Sequence, residues 1–150
     1  MRVYLVVIDE TQEAHSALRF AARRAADTQG AVHILALVPK QAFNAFGGIQ
    51  ATIEQESRDR AEVLANSAAG ELMSESGLMP QIAVREGDGK TVINEYLSEH
   101  PEVAALVLGA AAEGNPGPLV SHFSACSGQL PCPLFIVPGA LSDEEIDRLS

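Results

Sequence analysis

Gly109, Gly114 and Gly117 lie close together in a loop that runs from a strand-like stretch toward a helix-like one. Glycines there let backbone N–H groups approach an anion without a β-carbon in the way, and a following helix N-terminus adds partial positive charge. Ser121 and Ser124 are expected to open that helix. A serine N-cap stabilises a helix by about 1 kcal/mol, and the same hydroxyl would also suit a phosphate. His122, just after the loop, could reach a phosphate placed at the helix start. Asp9, at the end of the first apolar run, could bond a ligand amine or a ribose hydroxyl; equally, it could satisfy backbone donors of the turn before the first helix.

Other chemistries fit less well. The loop lacks the Gly-x-x-x-x-Gly-Lys-Ser/Thr spacing and has no neighbouring lysine, and Gly-x-Ser-x-Gly is absent. Nor does the sequence supply a metal-holding Asp of phosphoryl-transfer machinery beside it. His15, His33, His100 and His122 form no pair at metal-ligand spacing, and Cys126 and Cys132 have no His partner, so no metal is expected. The two cysteines read as buried free thiols. The net charge of −10 argues against binding a nucleic-acid backbone. Arg19, Arg23 and Arg24 are spaced like the solvated face of a helix.

These residues need strands and helices to position them. Val3 to Ile8 is a continuous apolar run, as in a strand covered on both faces. Ala14, Leu18, Ala21, Ala22 and Ala25 then recur at helical spacing, with Thr11 as N-cap and Gly30 as stop. Val32–Val38 reads as the second strand, 40–50 as a loop, and Ala51–Ser76 as a long helix ended by Gly77. Gln81–Arg85 is the third strand. A Gly87-Asp88-Gly89 turn follows, then a short helix marked by Val92, Ile93, Tyr96 and Leu97. Val103–Leu108 and Leu134–Val137 complete the strands. Strands alternating with helices predict a single α/β domain over 1–150, a doubly wound parallel sheet with helices on both faces. In such sheets ligands bind beyond the carboxyl ends of the strands, where Asp9, Val38 and Gly109 would meet.

Ser142-Asp143-Glu144-Glu145 has the form of a capping box, with Leu141 and Ile146 at staple positions, so a short acidic helix is expected over 142–150. Whether it docks on the body or on a partner is open. No apolar run approaches the roughly 20 residues that span a bilayer. Met1-Arg2-Val3-Tyr4-Leu5 enters a strand directly, without a leader-like pattern, so a cytoplasmic location is expected.

Taken in order, Val6-Val7-Ile8-Asp9, Leu35-Ala36-Leu37-Val38, Val84-Arg85-Glu86-Gly87-Asp88, Val107-Leu108-Gly109 and Pro131-Cys132-Pro133-Leu134-Phe135-Ile136-Val137 resemble a small single-domain universal stress protein over nearly the whole chain. The resemblance implies five parallel strands in the order 3-2-1-4-5 and a homodimer through the fifth-strand edge, Leu134 to Val137. Pairing would cover an apolar edge. Members that hold ATP carry Gly-x2-Gly-x9-Gly-Ser/Thr. Here Gly109 matches the first glycine, Ala112 replaces the second, and Val120-Ser121 stand where Gly-Ser/Thr is expected, in a loop two residues shorter. The other frame, from Gly114-x2-Gly117, meets Ser127-Gly128 and leaves the last helix too short. The positions matching the family's nucleotide contacts are Asp9, Val38, Gly109 and Ser121.

The implied function is a non-catalytic, dimeric stress-response module that binds an adenine nucleotide, AMP in preference to ATP, because the adenine and ribose end is better kept than the phosphate end. The alternative is the same fold without a nucleotide, acting through protein contacts. A third reading, slow nucleotide hydrolysis, lacks an identifiable base or metal ligand.

Overall fold

A computed structural model describes residues 1–39 and 47–150. Strands β1 (Val3–Ile8), β2 (Ala31–Val38), β3 (Gln81–Glu86), β4 (Val103–Ala110) and β5 (Leu134–Pro138) form one sheet in the order β3-β2-β1-β4-β5. Every pairing is parallel. Helices α1 (Gln12–Thr28), α2 (Gly47–Ser76), α3 (Gly89–Glu99) and α4 (Pro118–Ala125) connect the strands, and α5 (Asp143–Leu149) ends the chain. The strand order is the one that the resemblance implied.

The unbroken apolar strands are explained by two cores. Tyr4, Val6 and Ile8 point to the face covered by α1 and α2, where they meet Ala17, Leu18, Ala21 and Leu72. Val3, Leu5 and Val7 point the other way, to Ile93, Tyr96 and Leu97 of α3 and Phe123 of α4. A strand side chain alternates faces at every residue, so a strand covered on both sides must be apolar throughout. β1, at the centre, is buried along its whole length.

Several local expectations are corrected. The long helix begins at Gly47, four residues before Ala51, and 40–46 lies outside the described residues. Thr11 occupies the N-cap of α1, but its hydroxyl does not cap the helix. The left-handed C-cap falls on Gln29 (φ 54°), one residue before Gly30. Asp88 N-caps α3, accepting from the Thr91 amide at 3.3 Å.

The tail docks on the body. Ser142 and Glu145 form the capping box in both directions, at 3.2 and 3.1 Å, and Ile146 is fully buried. Arg19, expected on a solvated face, instead grips the Asp147 carboxylate with Nε and Nη2 at 2.9 and 2.8 Å. It also reaches Glu75 of α2 at 3.2 Å, while Arg23 approaches Asp147 at 3.3 Å. The Arg19 side chain is 17 % exposed. This planar, bidentate pairing holds the Asp147 carboxyl below its ordinary range.

Candidate functional site

A cavity of about 510 Å³ opens beyond the carboxyl ends of β1, β2, β3 and β4. Its size lies within the usual range for small-molecule sites, roughly 300–1,000 Å³. Val7, Leu37 and Leu108 supply an apolar floor from three strands. Asp9 and Glu13 stand on one side, the Gly87-Asp88-Gly89 turn on a second, and Pro116 to Val120 on a third. A smaller recess of about 260 Å³ shares Asp9, Thr11, Leu37 and Pro39 with it and runs toward Ser57 and Arg60 of α2. There Arg60 pairs with Glu10 at 3.1 Å.

Of the four residues that the resemblance assigned to nucleotide contact, two border the cavity, Asp9 and Gly109; of the other loop glycines Gly117 borders it and Gly114 does not. Asp9 is half-buried. Its Oδ1 accepts from the Thr11 amide at 2.9 Å and from the Thr11 hydroxyl. Both donors go to one oxygen, so the turn fixes the carboxylate's orientation while no hydrogen bond from the described residues engages Oδ2. The two roles weighed for Asp9 are therefore compatible.

Gly109 has a packing reason to be glycine. A β-carbon there would fall onto the Glu13 carbonyl oxygen, with the carbonyl carbon 2.6 Å away. The first turn of α1 crosses directly over the end of β4. This contact accounts for the glycine without any ligand, which sequence reasoning could not see because Glu13 is remote along the chain.

Val38 and Ser121 lie off the cavity lining. Strand alternation turns Val38 toward α2, where it packs with Ala61 and Ala65, and its carbonyl accepts from the Gly87 amide at 3.2 Å. Ser121 is not an N-cap. α4 starts at Pro118 behind Gly117, so the Ser121 amide already donates to the Gly117 carbonyl at 3.0 Å, and its hydroxyl donates to Asn115 at 3.4 Å. His122 is carried to the last turn of α4, edge-on to Phe123 at 4.9 Å, off the lining as well. The early start of α4 has a visible cause in Pro118, which favours the first helical position.

The residues that sequence reasoning passed over are Leu37, Glu13 and Leu119, together with the wall made by Gly87-Asp88-Gly89. The signal was present for that wall, a glycine-flanked aspartate just past a strand end. For Leu37 the available signal was parity: it faces opposite to Val38. Val120 is both a core residue and part of the cavity wall, whereas Ala112 is exposed and off the lining.

The loop itself is closed by its own bonds. The Ala111 amide donates to the Pro116 carbonyl at 3.0 Å, and the Gly117 amide to the Asn115 side chain at 2.9 Å. Gly117 adopts φ 120° and ψ 156°, a region essentially reserved for glycine.

The histidines are otherwise structural. His33 is buried toward the amino ends of the strands, where Nδ1 lies 2.8 Å from the Tyr96 hydroxyl. The His100 ring stacks on Tyr96 at 3.9 Å, and the Arg85 guanidinium lies 5.0 Å above the same ring. Burial, reinforced by His100, lowers the His33 pKa below its ordinary value, so the ring is held neutral. Cys126 and Cys132 are free and half-buried. Burial pushes the Cys132 thiol up, against a redox role. Among the described residues no group of three His, Cys, Asp or Glu side chains is placed to hold a metal ion, and no helix is long and apolar enough to cross a membrane.

Comparison with known proteins gives a consistent result. A model of the universal stress protein family matches residues 1–138. Among solved structures, universal stress protein UspA from Lactobacillus plantarum is similar with a TM-score of 0.78 at 21% identity, covering 91% of this chain and 97% of that one. A universal stress protein family member from Burkholderia pseudomallei gives 0.72 at 17%, covering 91% and 95%. A universal stress protein family protein from Arabidopsis thaliana with AMP bound gives 0.63 at 16%, covering 96% and 95%. No match was found among curated protein sequences.

Proposed function

The chain belongs to the universal stress protein family, and on that premise we propose that it is a non-catalytic stress-response module that binds an adenine nucleotide, AMP in preference to ATP. One observation carries the reading: a 510 Å³ cavity at the strand ends, with an apolar floor and the Asp9 carboxylate at its rim. An apolar floor suits a purine face, and a carboxylate with one free oxygen suits an exocyclic amine or a ribose hydroxyl. The Arabidopsis relative carries AMP, and other structures of the family are described in complex with dAMP and with cAMP. Asp9 and Gly109 frame the site in this reading, while Val38 and Ser121, off the lining, have no part. The protein acts as a homodimer through β5, a sheet edge where Ile136 is exposed. Its place of action is the cytoplasm.

Thermal melts with millimolar AMP, ADP and ATP test the binding. A ligand at about a hundred times its Kd stabilises the native state by roughly 2.7 kcal/mol, a shift of several degrees. No shift with any of the three overturns the reading. Turnover in a phosphate-release assay that depended on Asp9 would replace it with an enzymatic one.

A second reading keeps the fold and omits the nucleotide. It is favoured by Gly109, whose small size is already required by the Glu13 carbonyl. In that case the module acts through its dimer and an acidic surface carrying much of the net charge of −10.

A further inference from the structure

The cavity's charges are all of one sign. Asp9, Glu13 and Asp88 line it, and among the described lining residues there is no lysine, arginine or histidine. Asp88 cannot turn away, because Oδ2 is held by the Thr91 amide and hydroxyl at the start of α3. Asp9 is held in the same way by Thr11. Both carboxylates are thus fixed at the rim by the helices they precede.

The loop over 116–118 supplies no free donor to offset this charge. Of the loop residues on the cavity wall, Pro116 and Pro118 have no N–H, and the Gly117 amide is bonded to Asn115 at 2.9 Å. That leaves the Leu119 and Val120 amides at the start of α4, with the first-turn amides of Glu13 and Ala14 in α1 and of Gly89 in α3, each of the latter three on a residue that bears or adjoins a cavity carboxylate. Among the described residues no group of three His, Cys, Asp or Glu side chains is placed to hold a metal ion of its own, so the comparison of ligands is made without a divalent cation.

We infer that this site selects adenine ligands against phosphate charge, so that adenosine binds more tightly than AMP and AMP more tightly than ATP. The inference rests on the proposed adenine binding and sharpens it: the apolar floor and Asp9 recognise the nucleoside, and the fixed carboxylates repel what is attached to it. One carboxylate–phosphate repulsion across about 8 Å, at an effective dielectric near 20 and physiological salt, weakens binding about fourfold per charge. AMP should therefore bind roughly tenfold more weakly than adenosine, and ATP more weakly still.

Calorimetric titration of the full chain with adenosine, AMP and ATP, without magnesium and at about 0.05 and 0.5 M salt, tests the order. The expected result is adenosine tightest, with the gaps narrowing at high salt because screening weakens the repulsion. Replacing Glu13→Gln together with Asp88→Asn, which keeps volume and an N-cap, should narrow the adenosine-to-ATP ratio about tenfold. ATP binding as tight as adenosine, or a ratio unmoved by both salt and the double variant, overturns the inference while leaving adenine binding intact. Absence of binding by all three removes the reading beneath it and the inference together.

Discussion

Replacing Gly109 with alanine tests whether this residue serves the fold or a ligand. The added β-carbon would meet the Glu13 carbonyl, whose carbon stands 2.6 Å away, about 1 Å inside ordinary nonbonded contact of ~3.5 Å. The obstacle is backbone in the first turn of α1, so no rotamer change relieves it. Either α1 lifts from β4 or the end of β4 bends, and overpacking of this kind costs about 1–3 kcal/mol. For a domain of this size that is a fall in Tm of roughly 3–10 °C, read in a thermal melt of the protein without ligand. Gly117→Ala gives a matched contrast. No atom lies within 4 Å of its β-carbon position, yet φ 120° with ψ 156° costs a side-chain-bearing residue about 1–3 kcal/mol. Gly117→Asn should be no better than alanine, since this is not the left-handed helical region that asparagine tolerates. Gly128→Ala, with open space and no positive φ, should stay within about 0.5 kcal/mol of wild type. If Gly109→Ala melted with wild type while losing an AMP-induced shift, the glycine would serve the ligand and the packing argument would fail.

Other consequences follow from the same geometry. His33 is held neutral below its ordinary pKa, so its contribution to stability is present above about pH 6.5 and is lost as the pH falls below that value, where the unfolded chain takes up the proton more readily. Denaturant titrations between pH 7.5 and 5 should show this loss, and His33→Gln should flatten it; an unchanged slope would place the titrating group elsewhere. Tyr96→Phe leaves the buried His33 Nδ1 without its 2.8 Å partner and should cost about 1–3 kcal/mol in the same titration at pH 7.5. Ile146→Ala removes the fully buried anchor of α5, and Arg19→Ala removes its bidentate clamp. The first should cost about 2–4 kcal/mol of docking energy and strip hydrogen-exchange protection from 143–149 while the sheet keeps its own. Protection lost throughout the sheet would make α5 part of the cooperative core instead. The proposed β5 dimer predicts that Ile136→Lys weakens self-association at least tenfold in analytical ultracentrifugation; a monomeric wild type, or a profile that the substitution leaves unaltered, would refute a dimer through this edge.

Much of this protein was set by local sequence. Continuous apolar runs at Val3–Ile8 and Val103–Leu108, short and rich in β-branched residues, read as strands covered on both faces, because each residue's neighbour points to the opposite side. The capping box at Ser142 and the helical spacing of Ala14, Leu18, Ala21 and Ala25 are also short-range facts, decided within a turn or two of chain. The position of the cavity followed from them, since a doubly wound sheet leaves its crevice at the strand ends. What local pattern could not decide were contacts between segments remote in sequence. Val38 and Leu37 differ by one step of strand parity, and only the packing of α2 against β2 showed which of them faces the cavity. The size of Gly109 looked like room for a phosphate until the fold brought the Glu13 carbonyl against it. Arg19 looked solvated until the chain's last helix folded back onto α1 with Asp147. In each case the residue type was readable in the sequence, but the reason for it lay across the fold.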